Sequence, residues 1–224
     1  MINKLRESAD AALADVPDGA AVMVGGFGSA GQPVALIDAL LAQGARELTV
    51  ISNNAGNGDV GLAALLAAGR VRKIICSFPR QADSHHFDRL YRAGQIELEL
   101  VPQGNLAERI RAAGAGIGAF FTPTGAGTEL ARGKEQREIA GRMQVLEYPI
   151  HADYALVQAQ RGDRWGNLCY RKTARNFGPV MAAAARITVA AVREFVELGE
   201  IDPETVITPG IHVQRLVHLP EAAA

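Results

Sequence analysis

The stretch from Ala20 to Leu41 restricts the fold of this chain more than any other. Ala20-Ala21-Val22-Met23-Val24 is a short apolar run that leads into Gly25-Gly26-Phe27-Gly28-Ser29-Ala30-Gly31, and Pro33 then opens the apolar-periodic segment Val34 to Leu41. That order is a buried strand, a turn in which backbone comes close to something else, and a helix with Pro at its first turn. Amide N–H groups at a helix N-terminus attract anions. A ligand carrying phosphate is therefore an early expectation for the loop formed by Gly25, Gly26, Phe27, Gly28 and Gly31.

The same beat repeats along the first half of the chain. Strands are expected at Ala20 to Val24, Leu48 to Ile51, Lys73 to Ser77, Ile96 to Val101 and Ala119 to Phe121. Helices are expected at Asn3 to Ala14, Val34 to Gln43, Gly61 to Ala68, His86 to Ala93 and Leu106 to Ala113, four of them stopped by Gly44, Gly69, Gly94 and Gly114. Alternation at turn length implies βαβ units, hence an α/β fold with an open, mostly parallel sheet flanked by helices. Residues 125–142 break the rhythm; rich in charge and glycine, they read as an excursion or mobile loop. Beyond them, Met143 to Leu146, Tyr154 to Ala159, Leu168 to Tyr170 and Ile187 to Val192 read as strands, a helix falls within Ala174 to Ala185, Ile211 to Val217 is extended, and Ala222 to Ala224 is frayed. Neither an internal repeat nor a Pro/Ser-rich linker divides the 224 residues, so one domain over residues 1–224 is expected.

With a formal net charge of −1, the chain has no overall attraction to nucleic acid or to an anionic membrane. Its apolar runs fall short of the ~20 residues that span a bilayer, and Met1-Ile2-Asn3-Lys4-Leu5 lacks the apolar run of a secretory signal. The expected compartment is the cytoplasm. Cys76 and Cys169 are isolated, each in an apolar strand-like run, and read as buried thiols. His85 and His86 are adjacent and point to different sides of any helix or strand, while His151, His212 and His218 are scattered. No metal site is expected.

Gly26-Phe27-Gly28-Ser29-Ala30-Gly31 satisfies the dinucleotide pattern G-x-G-x-x-G, but that reading needs an acid at the end of the next strand, where Ser52-Asn53-Asn54 stands instead. Ligands of open α/β sheets sit beyond the carboxyl ends of the strands. Four segments fall there: Gly25 to Gly31, Ser52 to Gly58, Ser77 to Gln81 and Pro102 to Asn105. Asn53, Asn54 and Gln103 are neutral donors, suited to an oxyanion that exists only in a transition state. The competing reading has Asn53 and Asn54 capping the turn and the following helix. Arg80 is placed to pair with a substrate carboxylate, and Arg171, Lys172 and Arg175 form a basic cluster that meets either a phosphate, a partner's acid or solvent. There is no G-x-S-x-G elbow, and no carboxylate lies at a glycine-lined turn where it would be a poised nucleophile.

The segment Asp18 to Pro33 reads D-G, two residues, three apolar positions, G-G-F, three residues, G-x-P, and so resembles the first signature of the coenzyme A transferases. The resemblance continues through Ser52 to Gly56, Pro102 to Arg111, Phe121 to Gly125 and Arg171 to Phe177, nearly the whole chain. It is that of the alpha (A) subunit of heteromeric 3-oxoacid CoA-transferases, and Ser77 to Gln81 with Gly162 to Asn167 are more similar to the 3-oxoadipate branch than to the acetoacetate branch. The resemblance implies a type I CoA-transferase domain without a permanently bound cofactor, with coenzyme A thioesters as substrates. It also implies a beta (B) subunit partner in an A2B2 assembly, and transfer of CoA from succinyl-CoA to a 3-oxo acid by ping-pong chemistry. The nucleophilic glutamate would lie in an S-E-N-G motif on that partner, and no such motif occurs in this chain. Asn53 and Gln103 would supply oxyanion and thioester-facing amides. A non-catalytic acyl-CoA-binding module and a dehydrogenase are the rival readings.

Overall fold

The computed structural model describes residues 2–220. The first element is α1 (Ala9–Leu13), followed by β1 (Ala21–Val24), α2 (Val34–Gln43), β2 (Leu48–Ile51), α3 (Leu62–Ala67), β3 (Val71–Cys76), α4 (His85–Arg92), β4 (Glu97–Leu100) and α5 (Gln103–Gly114). Then come β5 (Phe120–Thr122), β6 (Gln136–Ile139), β7 (Arg142–Glu147), β8 (Ala152–Asp163), β9 (Leu168–Cys169), α6 (Gly178–Ala184), β10 (Ala185–Val196) and β11 (Arg215–His218). The main sheet runs β11-β10-β8-β1-β2-β3-β4, all pairs parallel, with β9 added antiparallel to β8.

Period-two alternation divides the sheet's side chains between two buried layers. Val22, Val24, Val50, Ile74 and Cys76 pack with Leu13, Ile37, Leu40, Leu65 and Phe87 from α1 to α4. Met23, Ile51 and Ile75 point the other way, into Leu106 and Ile110 of α5 and Met181 of α6. Near-continuous apolar strands such as Ala21–Val24 and Leu48–Ile51 are what a parallel sheet covered on both faces requires. The expected open α/β sheet is therefore present. Successive units lead outward from β1 through β2 and β3 to β4, whereas β8, β10 and β11 build the other half. The direction of winding reverses between β1 and β8, and the crevice above such a switch point is where these sheets bind ligands.

Three expectations need correction. The N-terminal helix covers only Ala9–Leu13, because Ser8 caps it by accepting the Ala11 N–H at 3.1 Å. The residues before it run alongside the edge strand β11 instead: Arg6 N donates to Leu216 O and Leu216 N to Lys4 O, both at 2.8 Å. An unpaired sheet edge competes successfully with a short helix for these backbone groups.

Residues 125–142 form the expected excursion from the α/β rhythm, built as regular structure and not as a loop. With β5 and β7 they build a separate antiparallel sheet, β5-β7-β6, so Phe120–Thr122 and Arg142–Glu147 do not belong to the main sheet. Ala140 and Gly141, both at positive φ (51° and 74°), make the two-residue turn between β6 and β7. All four residues of β6 are exposed, so no hydrophobic alternation marks it. Finally, α5 starts at Gln103 and includes Gly114. A Cβ on Gly114 would lie 2.8 Å from Ala183 Cβ, so this glycine lets α5 and α6 approach rather than stopping the helix. Residues 222–224 lie outside the described residues.

Candidate active site

Strands β2 and β3 end side by side, and their pairing runs past both ends. Ser77 N and Phe78 N donate to Asn53 O at 3.2 and 3.0 Å. The same register carries the Asn53 side chain inward, where it is 3% exposed. Its Oδ1 accepts two hydrogen bonds of 2.8 Å, from Gln103 Nε2 and from Ser77 Oγ. Gln103 stands in the first turn of α5, immediately after Pro102, so the orphan N–H groups and positive end of a twelve-residue helix lie beside this cluster. The two amides singled out by sequence are thus brought together, 50 residues apart in the chain.

The turn-capping reading holds for one member of the pair only. Asn54 Oδ1 accepts from Gly56 N at 2.9 Å and holds the turn. Helix α3 is preceded by Gly61, and no side chain caps it. Asn53 takes no part in that turn chemistry. Gly56 is a required glycine: its φ is +87°, and a Cβ would sit 2.4 Å from Ala63 N.

The glycine turn after β1 is arranged differently from the phosphate cradle expected of it. Phe27 N and Ala30 N bond each other's carbonyls at 3.0 and 3.1 Å, and Gly25 N donates to Leu156 O at 2.9 Å. Asn176 Oδ1 accepts Gly26 N at 3.0 Å while Asn176 Nδ2 donates to Ala30 O at 2.9 Å. The N–H groups of Gly25, Gly26, Phe27 and Ala30 are thus consumed inside the protein and shape the turn as a wall. Gly31 has φ +69°, and a Cβ there would meet Ala174 O at 2.3 Å. That clasp lays the turn against residues 172–176. Phe27, Ala30, Lys172, Thr173, Arg175 and Asn176 line an open cavity of about 720 Å³. Lys172 and Arg175 of the basic cluster therefore share this cavity with the half-exposed Phe27, whereas Arg171 lies outside it.

Arg80 lies outside the amide cluster. Its Nε pairs with Asp88, and its guanidinium sits 5.9 Å from the Tyr91 ring centroid. The histidine pair does converge, against expectation: His85 Nε2 and His86 Nε2 reach Asp59 Oδ1 at 3.2 and 2.7 Å, with the rings 4.0 Å apart. Adjacent side chains in the first turn of α4 share one partner because Asp59 comes to them from a neighbouring loop. A hydrogen bond to Asp83 first, and the charges of Asp83 and Asp59, raise the His85 pKa. Cys169 is half-buried rather than buried, whereas burial pushes the Cys76 thiol up to about 12.

A charged brace ties β3 and β4 to α5. Lys73 Nζ contacts Glu97 at 2.9 Å and Glu99 at 3.0 Å, and Arg109 of α5 reaches Glu99 at 3.0 Å. Burial opposes ionisation of Glu99, but hydrogen bonds from Lys73 and Arg109 outweigh it and the pKa is lowered. The buried Glu147 of β7 accepts from Lys134 at 2.7 Å and from Asn105 of α5 at 3.2 Å. Asp163, also buried, holds Trp165 N, Asn167 N and Asn167 Nδ2. These are the buried carboxylates among the described residues, and both are engaged in structural hydrogen bonds.

A parallel sheet covered on both faces, with the amides of Asn53 and Gln103 joined beyond its strand ends and its buried carboxylates engaged elsewhere, defines an open α/β domain with a polar cluster where such sheets bind ligands. The chain matches the coenzyme A transferase family model over residues 6–219 and belongs to that family. It is 68% identical over 224 residues to the alpha (A) subunit of the 3-oxoadipate CoA-transferase of Pseudomonas putida, covering 100% of this chain and 97% of that protein. It is 55% identical over 210 residues to the corresponding subunit of a succinyl-CoA:3-ketoacid coenzyme A transferase of Xanthomonas campestris, covering 93% of this chain and 86% of that one. The fold matches glutaconate coenzyme A-transferase from Acidaminococcus fermentans with a TM-score of 0.85 at 23% identity, over 97% of this chain and 76% of that one. No helix among the described residues is long and apolar enough to cross a membrane.

Proposed function

We propose that this chain is the alpha (A) subunit of a succinyl-CoA:3-oxoadipate CoA-transferase, acting as one domain in an A2B2 complex in the cytoplasm. The observation that carries the reading is the pair Asn53–Gln103, two neutral amides joined at 2.8 Å beside a helix N-terminus. The 68% identity to the matching subunit of a 3-oxoadipate CoA-transferase favours that acid over acetoacetate.

The chemistry follows from what the chain holds and lacks. The partner's glutamate carboxylate attacks the succinyl-CoA carbonyl, and the thioester C–S bond breaks. CoA leaves as thiolate, and an acyl-glutamyl anhydride remains. The thiolate then attacks the glutamyl carbonyl, releasing succinate and leaving a glutamyl-CoA thioester. 3-Oxoadipate reverses the sequence and departs as 3-oxoadipyl-CoA. Each attack passes through a tetrahedral oxyanion, and preorganised N–H donors stabilise that charge more than they stabilise the ground-state carbonyl. Asn53 and Gln103 supply such donors. Phe27, with Lys172 and Arg175 across the 720 Å³ cavity, suits an acyl chain ending in an anion. Arg80 keeps its role as a candidate reader of the distal carboxylate of the acid.

The test is turnover by the purified heteromeric complex carrying Gln103→Ala. The kcat is expected to fall by about 10²–10³ with little change in the KM for the acid, as for loss of one oxyanion donor. Near-parental turnover removes Gln103 from the mechanism.

A further inference from the structure

The transition-state role given to Asn53 requires its amide to present nitrogen, not oxygen, to the reacting carbonyl. An amide is nearly symmetric in shape, so something must fix which end faces the site. Two donors meet at Asn53 Oδ1: Gln103 Nε2 and Ser77 Oγ, each at 2.8 Å. Ser77 Oγ also lies 3.1 Å from Asn53 O, so its single proton is shared between two oxygens of one residue, with the shorter contact to Oδ1. No acceptor for Asn53 Nδ2 is found among the described residues, and Nδ2 is not among the sealed side-chain atoms left without a partner. It therefore keeps some accessible surface although the residue is 3% exposed. The oxygen end is thus engaged by two protein donors and the NH2 end is left free of protein partners.

We propose that Ser77 is a positioning residue: its hydroxyl holds the Asn53 carboxamide with Nδ2 aimed at the oxyanion. The proposal rests on the CoA-transferase reading above. Gln103 cannot do this alone, because it is itself a terminal amide with a soft torsion and can rotate together with Asn53. The serine hydroxyl sits on Cβ at the end of β3, and the Ser77 backbone N–H is itself bonded to Asn53 O at 3.2 Å. Its short side chain therefore starts from a fixed point. Asn53→Ala removes the donor itself, whereas Ser77→Ala leaves the donor in place but free to turn over. A residue that only stabilises the fold would lower turnover whatever occupied position 53. One that acts through Asn53 matters only while Asn53 is present.

The experiment is a double-mutant cycle in the heteromeric complex, reading kcat and KM for succinyl-CoA and 3-oxoadipate. Ser77→Ala is expected to lower kcat about tenfold, leave both KM values within about twofold, and shift the melting temperature by no more than a few degrees. In the Asn53→Ala background it is expected to lower kcat by less than about twofold. Ser77→Thr, which keeps the hydroxyl, is expected to restore most of the turnover. Ser77→Cys, nearly isosteric but a weak donor, is expected to behave like the alanine variant and serves if Ser77→Ala does not fold. Parental kcat in Ser77→Ala or Ser77→Cys overturns the assignment, and so does an equal loss with and without Asn53. A parent complex that transfers no CoA overturns the functional reading and this assignment together; an active parent with an unresponsive position 77 overturns this assignment alone.

Discussion

Asn53 and Asn54 are the same residue type at successive positions and do different work. Asn54 accepts from Gly56 N and shapes a turn. Asn53 is held by Ser77 and Gln103, 24 and 50 residues away. The sequence makes both visible as neutral donors at a strand end. It cannot divide the roles, because the division is made by side chains from the ends of two other elements. Ser77 illustrates the same limit: its segment is recognisable as a strand end, but nothing local distinguishes its hydroxyl from that of any other surface serine. Arg80 is legible as a candidate carboxylate reader, and the Asp88 pairing shows that its guanidinium is already partly engaged. If Arg80 retains that role, Arg80→Ala in the heteromeric complex reduces the kcat/KM ratio of 3-oxoadipate to acetoacetate, since only the former has a distal carboxylate. An unchanged ratio ends the idea.

Two early elements are legible almost to the residue. Val34–Gln43 ends at Gly44 with φ 100°, and Leu48–Ile51 is a near-continuous apolar run interrupted only by Thr49. Both signals are local. The N-terminal segment and β6 are not legible, because each depends on a partner elsewhere: Leu216 for the first, Arg142–Glu147 for the second. The glycine turn after β1 offers an energetic test. Gly28 has φ +60° with open space around its Cβ position, whereas Gly31 has φ +69° and Ala174 O at 2.3 Å. Gly28→Ala is expected to cost about 1–2 kcal/mol, from left-handed backbone alone. Gly31→Ala costs more, since backbone must also move, and urea unfolding of the two variants checks the order. The brace between β4 and α5 gives a pH signature. The Glu99 pKa is depressed below its ordinary 4.5, so its contribution is complete above that value and is lost as pH falls through the folded-state pKa. The urea midpoint of the parent is therefore expected to exceed that of Glu99→Gln at pH 7, with the gap narrowing once pH drops below the ordinary value. A gap independent of pH contradicts the ionised brace.

At the scale of the whole molecule, strand order decides where chemistry can happen. Winding reverses between β1 and β8, and the ends of the adjoining strands β2 and β3 with the start of α5 bring the amides together. Alternation of strands and helices makes the parallel sheet readable, but exposure and charge hide the detached β5-β7-β6 layer. Among the described residues the buried carboxylates, Glu147 and Asp163, are spent on structure. In the proposed function the attacking carboxylate belongs to the partner subunit. The most direct test is CoA transfer from succinyl-CoA to 3-oxoadipate, followed as 3-oxoadipyl-CoA formed by this chain alone and after titration with the beta-type partner. No product from the chain alone, and turnover that rises with added partner to a stoichiometric plateau, is the predicted result. Sustained product formation by this chain without its partner contradicts it.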